Sequence, residues 1–146
     1  MDITTQRAAP TAPLHVKGID GNLLYSPGAD GKPDLSRPVR IHFFSPGSKQ
    51  QAAAEARATQ RALKRLEEND GKPNPATPEV RRAEAAEDLA MVTSHFENLT
   101  YPPAGDAQGY PLFEAVYADP DLGFIANQGA KFLGNWSSFK PGSPTG

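Results

Sequence analysis

Apolar residues recur along this chain at two periods, and the change from one to the other predicts an α+β fold. In the first third the pattern is short and alternating. Residues 14–19 and 23–25 flank an Asp20-Gly21-Asn22 turn, and residues 39–44 alternate apolar with polar side chains. These runs predict a small N-terminal antiparallel sheet. Residues 26–38 hold Pro27, Gly28, Gly31, Pro33 and Pro38 and read as loop.

From residue 48 onward the period becomes helical. Residues 48–69 are rich in Ala, Gln, Glu, Lys and Arg, with Ser45 or Ser48 as N-cap and Asn69-Asp70-Gly71 as the stop. A proline-rich linker over 70–78 follows. Thr77 caps a second helix with Pro78 at its first position. Along it Val80, Ala83, Ala86, Leu89, Val92, Phe96 and Leu99 recur at spacings of three and four, so the helix is read through to residue 99. Tyr101-Pro102-Pro103-Ala104-Gly105 breaks it. A short helix spans 111–118, and Asp119 caps a last one, on which Leu122, Ile125, Gly129, Phe132, Leu133 and Trp136 share a face. Gly129 in mid-face predicts close approach by a neighbouring helix.

The expected organisation is a flexible arm over 1–13, a single domain over 14–139 and a disordered tail over 140–146. Within the domain, 14–47 is β-rich and 48–139 is a mainly helical module of about four helices. The expected core is Val80, Leu89, Val92, Phe96, Ile125, Phe132 and Trp136. The 146 residues suffice for a modest core, but mean hydropathy is -0.55 and much of the apolar content is alanine, which buries little area per residue.

Charge adds an asymmetry. The net charge is -2, yet residues 1–82 carry 13 basic and 9 acidic side chains against 2 and 8 in residues 83–146. A basic end and an acidic end favour charge-complementary protein contacts or self-association. On the first helix Arg57, Arg61, Lys64 and Arg65 form a basic stripe over two turns. Glu55, Glu67 and Glu68 share that helix and no aromatic side chain interleaves. The stripe therefore reads as a solvated face with intrahelical ion pairs or as a docking face for an acidic protein surface, rather than as a site for nucleic acid. The helix has only Leu63 and Leu66 as large apolar residues, so it is weakly held.

Candidate chemistry is sparse. Without cysteine, disulfides, thiol catalysis and thiolate metal sites are excluded. His15, His42 and His95 have no ligand partner at i+3 or i+4, and the Asp20 and Asp30 turns lack the later oxygen ligands of a calcium loop. No glycine-rich phosphate cradle or nucleophile elbow is present. The first residues lack the apolar run of a signal peptide, no stretch has the length of a membrane span, and the sequons at Asn98 and Asn135 read as chance. The expectation is a non-enzymatic binding protein with no metal, no cofactor and no membrane or nucleic-acid partner.

One resemblance sharpens this. The run His95-Phe96-Glu97-Asn98-Leu99, the segment Tyr110-Pro111-Leu112-Phe113-Glu114-Ala115-Val116-Tyr117, then Asp119-Pro120-Asp121, Phe124-Ile125-Ala126-Asn127-Gln128-Gly129-Ala130-Lys131-Phe132 and the close at Asn135-Trp136-Ser137-Ser138-Phe139 resemble the tail assembly chaperones of long-tailed bacteriophages. The strand at 41–45, Pro46, the Ser48-Lys49 pair and the long polar helix follow that family's order. The likeness covers residues 39–139. Phe96 stands where the family commonly has Trp, and Gly129 where it has a branched apolar residue.

The resemblance implies a helper made in the host bacterial cytoplasm and absent from the mature virion. Such a helper coats the tape measure protein, keeps it soluble and helps recruit tail tube subunits, with self-association along the partner. Expected partner-binding residues are Arg57, Arg61, Lys64, Arg65, Leu112, Phe113, Val116 and Phe124. The alternatives are a structural virion component, such as a head–tail connector or minor tail protein, and a small nucleic-acid-associated regulator.

Overall fold

The computed structural model describes residues 1–73 and 76–142. Its frame is a three-stranded antiparallel sheet in the order β1 (Thr11–His15), β4 (Arg40–Phe44), β5 (Thr93–Glu97). A two-stranded ribbon, β2 (Tyr25–Pro27) with β3 (Pro33–Pro38), stands beside it. The helices are α1 (Lys49–Glu68), α2 (Pro78–Met91), α3 (Tyr110–Ala118) and α4 (Gly123–Leu133). The architecture is the expected α+β class.

Local chemistry sets the helix ends. The Ser48 hydroxyl accepts from the Gln51 amide to open α1, and the Thr77 hydroxyl does the same for Val80 in α2, with Pro78 at the first helical position. Asp70 and Gly71, both at positive φ, end the turn after α1.

Several expectations are corrected. The second helix stops at Met91, and residues 93–97 form β5 instead. Apolar residues four apart satisfy a strand as well as a helix, so Val92 and Phe96 did not discriminate. What decides is Thr93, whose hydroxyl donates to the Leu89 carbonyl at 2.8 Å and closes the helix, while the next residues pair with β4. The module over 48–139 is therefore not wholly helical. The expected flexible arm over 1–13 is structured, with a 3-10 turn over Ile3–Gln6 capped by Asp2. The Ala9 amide donates to the Phe139 carbonyl at 2.9 Å, and residues 11–15 pair with β4, tolerating Pro13 on an edge strand. Residues 33–38 form β3 rather than loop, again with prolines on an edge. Of the expected disordered tail, residues 143–146 lie outside the described residues.

Strand register divides the sheet into two faces. Ala12, Leu14, Ile41, Phe43, Thr93 and Phe96 face the helices. The core on that side is Ile41, Phe43, Leu89, Val92, Val116, Tyr117, Ile125 and Phe139. The Thr93 hydroxyl spends its proton on Leu89, so the Tyr117 hydroxyl donates to it at 2.7 Å. Burial pushes the Tyr117 phenol well above its ordinary pKa, which keeps it a neutral donor.

Gly129 is the tightest point of the helix layer. A Cβ there would lie 3.0 Å from Phe43 Cζ and 3.2 Å from Leu89 Cδ2, so the close approach read from the sequence involves α2 and the central strand. Gln128, one residue earlier, clamps α4 to the chain after β1: its amide donates to the Lys17 carbonyl and accepts from the Lys17 amide, both at 2.8 Å.

Two expected core residues are not in the core. Val80 is 43% exposed, in a first turn of α2 whose residues are all exposed. Trp136 is 60% exposed because α4 ends at Leu133, so the indole leaves the helix face and lies on Gly47. Leu89, Val92 and Ile125 are buried, and Phe96 and Phe132 are half-buried against them.

Replacing Phe43 by Ala is expected to cost about 3–5 kcal/mol in urea unfolding, and Gly129→Ala to destabilise despite alanine's better helix propensity. Trp136→Ala should cost less than about 1 kcal/mol. A larger loss at Trp136 than at Phe43 would contradict this core.

Candidate protein-binding groove

α1 buries only Ala54, although it is 20 residues long. Apolar contact therefore does not hold most of it. Charge does. Arg57 and Arg61 both reach Glu87, each at 3.2 Å; Arg61 also donates to both oxygens of Asp88, and Arg65 pairs with Glu84. Arginines at spacings of four meet carboxylates of α2 in a ladder. These pairs are partly shielded, and the hydrogen bond that Arg61 donates to Asp88 raises the Arg61 pKa.

This overturns the expectation that the stripe is a free docking face. Arg57, Arg61 and Arg65 spend their charge within the chain, and of the four only Lys64 has no ion pair among the described residues. Three cations of the basic segment thus pair with three carboxylates at the start of the acidic one. The matching periods of Arg57, Arg61 and Arg65 with Glu84, Glu87 and Asp88 were the available signal.

The apolar set proposed for binding fares in the same way. Phe113 and Val116 are buried in the core, and Leu112 and Phe124 are half-buried against it. The fold leaves them little surface to offer, because α3 turns its apolar side onto α2 and Phe96.

What the ladder leaves open is more informative. Holding α1 by its α2 side creates an open groove of about 580 Å³ between α1, α2 and α4. Its walls are alanines: Ala54 and Ala58 from α1, Ala85 from α2, Ala126 and Ala130 from α4. Leu89, Val92, Leu133 and Pro46 complete the apolar surface. The polar margin is Gln51, Glu55, Asp88 and Asn127, and among the described residues no Lys or Arg lines the groove. Ala85, Ala130, Glu55 and Asn127 are exposed, so the groove opens directly to solvent. The exposed Trp136 ring lies on Gly47, beside the Pro46 end.

The other face of the sheet gathers titratable side chains. By register His15, Arg40, His42, His95 and Glu97 share it. His42 is 2% exposed, and its Nε2 donates to Glu97 at 2.7 Å, since a carboxylate only accepts. Its Nδ1 has no partner among the described residues. The His95 ring stacks on His42 at 4.1 Å. Ser94 bonds His95 rather than His42, so no nucleophile–base–acid relay forms. Among the described residues no group of three His, Asp or Glu is placed to hold a metal, and no helix is long and apolar enough to cross a membrane. His15 donates to the Leu24 carbonyl at 2.8 Å and meets Tyr25 edge-on, which ties the β2–β3 ribbon to this face.

Comparison with protein-family models, curated proteins and solved structures finds no match to this chain.

Burial, and then the neighbouring His42, lower the His95 pKa below its ordinary 6.5. The His42 hydrogen bond, aided by Arg40, lowers that of Glu97 below 4.5. Both groups bind protons more tightly in the unfolded chain, so stability is fullest above these ordinary values and is lost as pH falls towards the lowered ones. His95 acts first and Glu97 below it. The melting temperature is expected to fall as pH drops from about 7.5 to about 5.5, and His95→Phe should flatten that decline. An equal decline in the variant would show that another group is responsible.

Proposed function

We propose that this chain is a non-enzymatic tail assembly chaperone of a long-tailed bacteriophage, which binds the tape measure protein, keeps it soluble and helps recruit tail tube subunits. The observation that carries the reading is the open, alanine-walled groove between α1, α2 and α4. Small side chains on helical walls leave space that larger apolar side chains of a partner helix fill, the helix-in-groove mode of recognition. A tape measure protein exposes long apolar helical stretches before the tail tube encloses it. Many copies of a small protein with one such groove would cover them. The resemblance over residues 39–139 supplies the identity of the partner.

A nucleic-acid role draws less support, because phosphates would have to displace Glu84, Glu87 and Asp88 from the arginines of α1.

Co-expression with the tape measure protein tests the proposal. The soluble fraction of tape measure should rise several-fold when this chain is present, and the two should co-purify. An unchanged soluble fraction would contradict the assignment.

A further inference from the structure

We infer that the groove receives a cationic amphipathic α-helix of the partner, two turns of which seat between α1 and α4 with their lysines or arginines directed at Glu55; this rests on the groove being the partner-binding site.

Length supports a helix. The groove runs from Gln51 to Ala58 along α1 and from Ala126 to Gly134 along α4. At 1.5 Å per residue both walls are about 10–12 Å long, the rise of two helical turns. An occupant with apolar anchors at i, i+3 or i+4, and i+7 spans that distance. An extended peptide is disfavoured because the walls are helical. Their backbone groups are already paired within the helices, so they present no strand edge for main-chain bonding.

Charge selects a cationic occupant. Among the described residues two carboxylates, Glu55 and Asp88, and no cation line the groove. Arg61 engages both oxygens of Asp88, but Glu55 is exposed and has only a 3.4 Å contact from Gln51 on its carboxylate. The C-terminal turns of α2 and α4 lie in the walls through Val92 and Gly134, against only one helix N-terminus, that of α1. Their dipoles add negative potential. Trp136, at the Pro46 end, presents an aromatic surface to the partner's flank.

Trp136 is the single tryptophan of the chain, so its emission reports occupancy. The probe is a tryptophan-free synthetic peptide of about 18 residues with leucines at helical spacing and lysines elsewhere, compared with the same peptide carrying glutamates. The lysine peptide should shift Trp136 emission to the blue saturably. The glutamate peptide should bind at least about tenfold more weakly. Ala130→Arg and Glu55→Lys, both at exposed positions, should each weaken the lysine peptide by about tenfold while leaving the melting temperature unchanged.

No shift, equal binding of the two peptides, or unaltered binding by both variants overturns the inference. So does sedimentation showing self-association that Ala130→Arg abolishes, since a second copy would then occupy the groove. Co-expression separates the two levels. If Ala130→Arg solubilises the tape measure protein as well as the parent does, the chaperone reading stands and the groove assignment falls. If the lysine peptide binds as expected but the parent does not solubilise the tape measure protein, the groove assignment stands and the chaperone reading falls.

Discussion

The contact of Phe43 with Gly129 and Leu89 is the constraint on which the rest of the molecule depends. Phe43 is fully buried on the central strand, and it meets α4 at a position where even a methyl group would lie 3.0 Å from its ring. That approach lets α4 lie against α2 and the sheet together. Phe132, one turn further along α4, packs its ring at a tilt 5.7 Å from Phe43 and passes the contact to Phe139, where the C-terminal turn meets β1. Chain ends, central strand and two helices are joined through one cluster.

The same cluster explains why α1 is exposed. α2, α3 and α4 supply the larger helical side chains of the core, and α1 adds only Ala54. α1 is rich in alanine and arginine and attaches through the ladder to Glu84, Glu87 and Asp88. Ion pairs fix its position along one side without closing the space on the other. The groove is what that mode of attachment leaves.

Much of this was legible in the residues. The central strand, the caps at Ser48 and Thr77, the short helix α3 and the demand for a small residue at 129 follow from local pattern. The misread elements share a physical cause. β5 was hidden because a spacing of four fits both periods, and β1 and β3 because prolines are tolerated on edge strands. Trp136 reads as core only if α4 continues past Gly134, which it does not. The groove itself could not be read. Alanines on three helices become one surface only when tertiary structure sets them together, and nothing in the periodicity of α1 says which neighbour its alanine face will meet. The arginine stripe was visible, but its partners lay 19 to 30 positions away, outside any local window.

The functional account thus moves from the basic stripe to the alanine groove beside it. Its central claim is that the partner binds between α1 and α4. Hydrogen exchange on the purified complex with the tape measure protein tests it most directly. The account predicts slowed exchange in residues 51–58 and 126–134, with β2, β3 and α3 unchanged. Protection confined to α3 or to the histidine-bearing face of the sheet, with the groove helices exchanging as in the free protein, would contradict it.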